Sequence, residues 1–337
     1  MPWKILKHII FHHIMGHLDA HHVLVNYQHG FRQGHSCESQ LITIVEHLAR
    51  NLDDSKQTDV LLLDLSRAFD TVPRKRLLKK LNHYGIRGQL IKWIESWLCG
   101  RTQTVVDNGS QSSPVTVTSE VLQGTVLGPL LFLLYINDIG LQKTSELGLF
   151  ADDSVLYGVV NNTSSAEVLQ SDLNKLVVWS EKWQMAFNAS KSFLLRVTRS
   201  RDNVVNYTYT MMGQPITSVT QHKYLGVELE SKLTWNEHIS AITGRANSSL
   251  GVLTGNLHNC PEQIKTQAYY SLVRPHLEYA CSVWDPHTQK NIQSIEKVQR
   301  RAARFVKKCN QRTPGTITSL LEELKWSSLE QRRKQTR

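Results

Sequence analysis

The sequence predicts an α+β fold, with a central segment that mixes helices and strands and with mostly helical segments on either side. The predicted strands concentrate between about residues 58 and 230, where Val- and Thr-rich runs are bounded by turn residues. Before and after this segment, apolar residues recur at the spacing of helices. A chain of 337 residues, of which 40% are hydrophobic, can also bury one large core or a few smaller ones.

Residues 1–57 are predicted to be helical because apolar positions recur at helical spacing in LITIVEHLARNL. Histidines are frequent in the first 22 residues, and several pairs have the four-residue spacing of metal ligands on a helix. No cysteine accompanies them, so we interpret them as helix residues and not as a metal site. The five cysteines of the chain are scattered without a C-x-x-C pair, which indicates neither a disulfide framework nor a zinc cluster.

The central segment begins with TDVLLLDLSRAFDTV, which predicts a strand over residues 60–65 whose apolar run is interrupted by Asp64. Pro73 then opens a helix that Gly85 ends, and a second amphipathic helix stops at Gly100. Two Val- and Thr-rich runs around DNGS predict a hairpin after this second helix.

The second half of the central segment starts with GTVLGPLLFLLYINDI, whose continuous apolar run predicts a buried helix. LGLFADDSVLYG follows and predicts a second hairpin. A long helix is predicted in SAEVLQSDLNKLVVWSEKWQMAF, with strands after it in KSFLLRVTRS and in HKYLGVELE. From Asn236 onward the chain is predicted to be mostly helical.

The charge of the chain indicates an anionic partner. The formal net charge is +10 and the pI is about 9.4, which favours nucleic acid or an acidic membrane face. The longest apolar run, VLGPLLFLLYI, is too short to cross a bilayer and contains Pro129, and the N-terminus does not have the pattern of a signal peptide. We therefore expect nucleic acid as the partner, no membrane attachment and no secretion.

Three aspartates interrupt apolar segments of the predicted sheet. Asp64 breaks an apolar strand, and Asp152 and Asp153 lie in the tight turn of an apolar hairpin. If these elements are neighbours in one sheet, the carboxylates converge and their repulsion raises at least one pKa unless a cation neutralises them. Magnesium prefers such oxygen ligands, and two magnesium ions about 4 Å apart catalyse phosphoryl transfer.

Each aspartate also has an ordinary structural interpretation. Asp-Asp pairs are common in turns that have no function beyond the turn itself. An aspartate after an apolar strand often caps a helix. The catalytic interpretation therefore depends on the sequence around the aspartates.

Those surroundings resemble a known family. LLLDLSRAFDTV, VLQGTVLGPLLFLLYINDI and LGLFADDSVLYG occur in the order of the palm motifs of reverse transcriptases, in the form used by non-LTR retrotransposons (LINE elements of the jockey type). QHGFRQGHSCESQL before these motifs, and WQMAFNASKSFLLRVTRS and HKYLGVELE after them, are similar to the same family. LVRPHLEYACSVWDP and IEKVQRRAARFV resemble its region downstream of the palm, so the resemblance covers nearly the whole chain.

The resemblance implies a right-hand polymerase fold. Residues 1–57 correspond to partial fingers, and residues 58–230 correspond to a palm with an antiparallel sheet and finger-proximal helices at 74–117. Residues 231–337 correspond to a helical thumb and C-terminal region. The implied activity is RNA-directed DNA polymerisation, with an RNA template, a DNA primer and deoxynucleoside triphosphates as partners.

The family's catalytic positions can be transferred residue by residue. Asp64, Asp152 and Asp153 match the ligands of two Mg²⁺ ions, for which Mn²⁺ can substitute. In the implied reaction, one ion lowers the pKa of the primer 3′-hydroxyl, and the other holds the triphosphate and neutralises the departing pyrophosphate. Lys191 matches a lysine that protonates the pyrophosphate or adds positive charge there, although a solvated lysine at a strand end is the plain alternative.

The resemblance also implies a nucleotide-binding set. Arg32 matches an arginine of the fingers that meets the triphosphate, and Phe69 matches the ring that leaves no room for a 2′-hydroxyl, although core packing is the usual role of a lone phenylalanine. Leu65 belongs to the same set. Gln123 and Gly124 match a Q-G pair near the sugar, where the family usually has proline before the glutamine and this chain has Leu122. We expect a less rigid turn there.

Two further sets of residues are predicted to contact the primer and the template. Tyr224, Leu225 and Gly226 fall in the stretch that grips the primer terminus. On a helical wheel of NIQSIEKVQRRAARFVKK, apolar residues lie on one side and basic residues on the other, which suits a helix lying along a phosphate backbone. The basic residues are Lys297, Arg300, Arg301, Arg304, Lys307 and Lys308. A solvated basic face is the alternative.

Family members normally carry an endonuclease domain and an earlier fingers segment before the palm, and we expect both to be missing from this chain. Two other functions stay open. The chain could be an inactive remnant that only binds nucleic acid, or a metal-dependent phosphodiesterase, for which Phe69 and Gln123 would have no use. The family's life cycle leads us to expect the nucleus or the cytoplasm. The sequence leaves the oligomeric state open.

Overall fold

The computed structural model describes residues 2–117, 119–200, 202–309, 311 and 313–336. The chain divides into two compact units, one ending at Thr220 and the other beginning at Gln221. The predicted division into fingers, palm and thumb, with boundaries at residues 57 and 230, is a functional one and stays a prediction.

The first unit mixes helices with strands, as the sequence predicts. Its helices are α1 (Pro2–Ala20), α2 (Cys37–Asp53), α3 (Arg74–His83), α4 (Gly88–Leu98), α5 (Gly128–Ile136) and α6 (Thr163–Trp183). Its strands are β1 (Thr58–Leu63), β2 (Thr102–Gln103), β3 (Val106–Asp107), β4 (Ser110–Gln111), β5 (Val115–Thr116), β6 (Glu146–Phe150), β7 (Asp153–Val159), β8 (Phe193–Val197), β9 (Thr210–Met211), β10 (Gln214–Pro215) and β11 (Thr217–Val219). A 3-10 turn, Ala189–Lys191, precedes β8.

The main sheet of this unit has five strands in the order β11-β8-β1-β7-β6. Strand β1 lies in the middle, antiparallel to both β7 and β8, and all six of its residues are buried. A strand covered on both faces reads as a continuous apolar run, which is why TDVLLL does not alternate. The predicted hairpin in LGLFADDSVLYG is confirmed as β6–β7.

Helix α5 lies in the core of the first unit. Its sequence, GPLLFLLYI, is apolar on all sides, and every residue but Pro129 is buried. Lys80 of α3 reaches into this core, where its ammonium pairs with Asp138 and lies 3.7 Å from the centre of the Trp183 ring. Burial lowers the pKa of Lys80 to about 8. The lysine therefore fastens α3 to the end of α5 and to α6.

The second unit is a short hairpin followed by helices. The hairpin strands are β12 (Gln221–Tyr224) and β13 (Val227–Glu230). The helices are α7 (Asn236–Asn256), α8 (Glu262–Leu272), α9 (Arg274–Glu278), α10 (Cys281–Trp284), α11 (Gln289–Lys307), α12 (Thr316–Glu323) and α13 (Leu329–Thr336). None of the helices in the described residues is long and apolar enough to span a bilayer.

Two regions predicted to form β-structure differ in outcome. The hairpin around DNGS is confirmed, as β3–β4 nested inside β2–β5. The prediction that HKYLGVELE is strand is wrong at its centre, because Leu225 and Gly226 both have positive φ and turn the chain back on itself. A two-residue turn with positive φ at both positions matches the twist of paired strands, and Gly226 supplies the conformation that most residues avoid.

Candidate active site

The sheet brings the three predicted carboxylates to one end of β1. Strand β1 pairs with β7 so that Leu63 lies opposite Ser154, and continuing this register by one residue places Asp64 opposite Asp153. Side chains at opposite positions of antiparallel strands have Cβ atoms roughly 5 Å apart. Asp152 is the second residue of the two-residue loop that joins β6 to β7. Asp64, Asp152 and Asp153 therefore lie beside one another in the fold.

The three carboxylates at this end of the sheet carry like charges that repel one another. No Lys, Arg or His among the described residues forms an ion pair with any of the three aspartates. Desolvation, followed by the charges of Asp152 and Asp64, raises the pKa of Asp153 to about 6. Desolvation and the charge of Asp64 also raise the pKa of Asp152. Asp153 remains exposed, so a cation from solution can reach it.

These side chains suit a hard divalent cation better than other ligands. Carboxylate oxygens are what Mg²⁺ prefers, and it usually takes only one or two of them from the protein, with water and phosphate oxygens completing its shell. Within the described residues, no group of three or more His, Cys, Asp or Glu side chains is arranged to hold a metal ion. Asp64 and Asp153 face each other with Asp152 beside them, and carboxylate oxygens are donors of the kind that a hard divalent cation takes.

The segment before β8 holds the main chain of Asp64. The Asn188 N–H donates to the Asp64 carbonyl at 2.8 Å, and the Asp64 N–H donates to Ser192 Oγ at 3.3 Å. Lys191 lies in the chain between these two contacts and is exposed. Leu65 is buried and forms a main-chain bridge with Phe187, which leaves its side chain in the core.

Phe69 is packed on the core and remains partly exposed, while its predicted role at the sugar stays a prediction. One face of its ring stacks on Phe132 of α5, with ring centres 4.2 Å apart, and its edge approaches Phe31 at 6.3 Å. The Val121 N–H donates to the Phe69 carbonyl at 2.9 Å, which ties the segment before Gln123 to this ring. Because Phe69 is only half-buried, it is packed on the core and still accessible.

The Q-G pair lies on an exposed turn. Gly124 has φ +71°, and a Cβ there would meet nothing within 4 Å, so the glycine is required for the backbone conformation and not for space. Although Leu122 replaces the proline that would stiffen this turn, a side chain in the turn holds its main chain. Thr125 Oγ1 donates to the Leu122 carbonyl at 2.7 Å and accepts from the Gly128 N–H at 3.1 Å.

Arg32 has an intramolecular role in this structure. Its Nη1 donates to the Val25 carbonyl at 2.6 Å and to the Gln28 carbonyl at 3.3 Å, and the residue is half-buried. The guanidinium therefore closes the loop at residues 25–28. Contact between Arg32 and a triphosphate stays a prediction.

Sequence reasoning missed Gln28, which is buried against the loop of the β6–β7 hairpin. Its side chain hydrogen-bonds both the N–H and the carbonyl of Ala151, the residue that precedes Asp152. The available signal was a glutamine followed two residues later by Gly30 in QHGFR, since glycine marks places where backbone segments approach closely.

In the second unit, the predicted primer grip is the turn of the β12–β13 hairpin. Tyr224 is buried, while Leu225 and Gly226 form the turn itself. The Tyr279 hydroxyl donates to the Leu225 carbonyl at 2.9 Å. A Cβ on Gly226 would lie 2.9 Å from the Tyr279 ring, so the glycine permits this close approach.

The basic face of α11 is narrower than the helical wheel indicates. Ile295, Val298, Ala302 and Val306 are buried as expected, and Phe305 is half-buried. Of the predicted contact residues, Lys297, Arg300, Arg301 and Lys308 are exposed, whereas Arg304 is half-buried and Lys307 pairs with Glu262 at 2.9 Å and Glu323 at 3.2 Å. The sequence pattern could not reveal these acidic partners, because they come from α8 and α12.

The sequence of the chain matches a known protein family. The sequence profile described as reverse transcriptase (RNA-dependent DNA polymerase) matches residues 3–229. The chain belongs to the reverse transcriptase family. The resemblance to jockey-type enzymes is thereby confirmed, and with it the expected reverse transcriptase fold. Members of this family generally use divalent metal ions and bind an RNA template.

The curated relatives that this chain matches come from mobile elements. The probable RNA-directed DNA polymerase from transposon BS of Drosophila melanogaster is 27% identical over 331 residues, which cover 93% of this chain and 36% of that protein. The corresponding protein of the X-element is 28% identical, with 91% and 34% covered. Among solved structures, apo telomerase from Candida tropicalis aligns with a TM-score of 0.48 and 10% sequence identity. The alignment covers 95% of this chain and 51% of the telomerase chain. The chain spans about a third of the length of the curated relatives it matches.

The raised pKa of Asp153 predicts how stability depends on pH. Since the folded state binds this proton more tightly than the unfolded state does, ionisation of Asp153 destabilises the metal-free fold as pH rises from about 4 through about 6. Asp153→Asn removes that charge. We expect the variant to melt about 1–3 °C above the parent at pH 7, a modest effect for an exposed group, and no higher at pH 4.

Thermal melting of both proteins between pH 4 and pH 8 without divalent ions measures this difference, with Asp107→Asn on exposed β3 as the matched control. Adding Mg²⁺ at pH 7 is expected to raise the melting temperature of the parent and to have little effect on Asp153→Asn. Parallel pH profiles for parent and variant would contradict the charge repulsion inferred at the end of β1.

Proposed function

We propose that this chain is an RNA-directed DNA polymerase that transfers a nucleotide from a deoxynucleoside triphosphate to the 3′-hydroxyl of a DNA primer. The observation that carries the proposal is the convergence of Asp64, Asp152 and Asp153 at the end of β1 in a member of the reverse transcriptase family. The curated relatives that it matches are themselves named RNA-directed DNA polymerases.

The three aspartates are the proposed ligands of two Mg²⁺ ions, and Mn²⁺ is expected to substitute. Mg²⁺ held by these residues would supply the charge that lowers the pKa of the attacking hydroxyl and offsets the charge of the leaving pyrophosphate. Desolvation, together with the charges of the neighbouring aspartates, raises the pKa of Asp152 and Asp153, and this supports the assignment because a bound divalent cation would stabilise the ionised carboxylates. The exposed Lys191, which follows Asn188 in the segment that contacts Asp64, is proposed to add positive charge near the leaving pyrophosphate.

The nucleotide is proposed to lie against Phe69 and the exposed Q-G turn. Phe69 is held by its stack on Phe132, so the ring cannot withdraw from a sugar placed against it. A wall of this kind excludes a 2′-hydroxyl by sterics, which selects deoxynucleotides. The Val121 N–H donates to the Phe69 carbonyl, and this bond links the segment that leads to Gln123 and Gly124 with the main chain of Phe69.

Helix α11 is the proposed contact for the phosphate backbone of template and primer. Lys297, Arg300 and Arg301 are exposed on the side opposite its buried apolar residues. Contacts of this type give affinity and position without reading sequence. Lys307, which is already paired with Glu262 and Glu323, is expected to contribute less.

Primer extension tests the proposed function directly. Purified chain is given an RNA template, a DNA primer, deoxynucleotides and Mg²⁺, beside Asp152→Asn, Asp153→Asn and the control Asp107→Asn. We expect extension by the parent and by the control. In the two site variants, the rate of extension is expected to fall by more than roughly 100-fold, because loss of a metal ligand costs more than the roughly 10–100-fold typical of a residue that only orients a ligand.

Binding of the RNA–DNA duplex, measured by fluorescence anisotropy, separates the alternatives. Duplex binding without extension in the parent protein would mean that the chain is a remnant that only binds nucleic acid. Extension that persists in both aspartate variants would contradict the assignment of the active site.

Phe69→Val tests the selection of the sugar. Because the smaller side chain opens space for a 2′-hydroxyl, we expect the preference for deoxynucleotides over ribonucleotides, measured as a ratio of kcat/KM values, to fall by roughly 10–100-fold. The ratio is insensitive to a general loss of folded protein, since both substrates are tested on the same preparation. An unchanged ratio would give Phe69 a packing role alone.

A further inference from the structure

Gln28 forms hydrogen bonds to the loop of the β6–β7 hairpin, and the predicted catalytic roles give these bonds no function. The residue is 2% exposed. Its Oε1 accepts from the Gly30 N–H at 2.7 Å and from the Ala151 N–H at 3.0 Å, and its Nε2 donates to the Ala151 carbonyl at 3.4 Å. One side chain thus holds both polar main-chain groups of Ala151.

The main chain around Gln28 is fixed to the sheet next to this loop. The Leu149 N–H donates to the Tyr27 carbonyl at 2.8 Å, and the His29 N–H donates to the Leu149 carbonyl at 2.8 Å. Residues 27–29 therefore extend the edge of β6 by a short parallel bridge. A Cβ on Gly30 would lie 2.3 Å from the Ala151 nitrogen, so only glycine allows the two segments to approach this closely.

Ala151 needs such a partner because of its backbone conformation. It has φ +54°, a value that residues with a Cβ adopt only when their surroundings impose it. It is the first residue of the two-residue loop, and Asp152 and Asp153 follow it directly. A rotation at Ala151 would carry both aspartates away from Asp64.

We propose that Gln28 is a positioning residue of this reverse transcriptase, which holds Ala151 in its left-handed conformation and so presents Asp152 and Asp153 opposite Asp64. The inference rests on the proposed function, because it assigns Gln28 a purpose only if these carboxylates bind metal. Gln28 itself touches neither metal nor substrate in this assignment. It acts through the main chain of the hairpin loop.

The test compares Gln28→Met with Gln57→Met. Methionine keeps the length of the side chain and removes its hydrogen bonds. Gln57 is 5% exposed and bridges Asp59 and the main chain of Val205 at the opposite end of β1, so it is a matched buried glutamine of the same sheet. A general loss of stability affects both variants, whereas a positioning role concerns Gln28 alone.

The first measurement is hydrogen–deuterium exchange of metal-free protein. We expect exchange of the peptide that contains residues 150–153 to become roughly tenfold faster in Gln28→Met, because the Ala151 N–H loses its acceptor. Exchange of this peptide in Gln57→Met is expected to match the parent. If this peptide exchanged at the same rate in Gln28→Met and Gln57→Met, the inference that the Gln28 hydrogen bonds restrain the loop would be overturned.

The second measurement is the affinity for Mn²⁺ by calorimetry, with Asp153→Asn as the control for the site. The Kd is expected to rise roughly tenfold in Gln28→Met and to stay unchanged in Gln57→Met, as is typical for residues that orient metal ligands. Ala151→Gly in the Gln28→Met background is expected to recover part of the affinity, because glycine adopts positive φ without cost.

The outcomes separate the two proposals. Faster exchange with Mn²⁺ affinity equal to that of Gln57→Met would overturn the positioning role while leaving the proposed function standing. A parent protein whose Mn²⁺ affinity is the same as that of Asp153→Asn would overturn the metal site itself. The exchange measurement would then still decide whether Gln28 restrains Ala151.

Discussion

The repulsion between neighbouring carboxylates at the end of β1 is the constraint on which the proposed active site depends. Strand β1 is buried on both faces and paired on both edges, so Asp64 cannot move away from the sheet end. The β6–β7 loop brings Asp152 and Asp153 to the same place. Bringing like charges together is unfavourable, and the rest of the fold is needed to keep them there until a cation compensates them.

The elements around the aspartates serve this purpose by holding main chain. The segment before β8 binds both polar backbone groups of Asp64 through Asn188 and Ser192. Gln28 does the same for Ala151 from the other edge of the sheet. Restraint of the backbone leaves the carboxylate oxygens themselves available for metal, which side-chain ion pairs would not.

The sequence could predict the elements that carry a strong local signal. The apolar run of β1, the buried helix α5 and the β6–β7 hairpin follow from periodicity, and the order of three motifs indicates the family. Contacts between distant segments have no local signal. The bridge from Gln28 to Ala151 spans 123 residues of sequence, and the acidic partners of Lys307 lie on other helices. The turn at Leu225 and Gly226 carries a weak local signal, because a single glycine in HKYLGVELE is its only turn residue.

The location of a bound divalent ion tests the account most directly. Crystals of the chain soaked in Mn²⁺ would be measured for anomalous scattering at the manganese edge. We expect a peak within about 2.2 Å of carboxylate oxygens from Asp64 and from Asp152 or Asp153, the distance range of a magnesium-like ion. A peak elsewhere, with the aspartates making no contact to it, would contradict the claim that these carboxylates form the catalytic metal site.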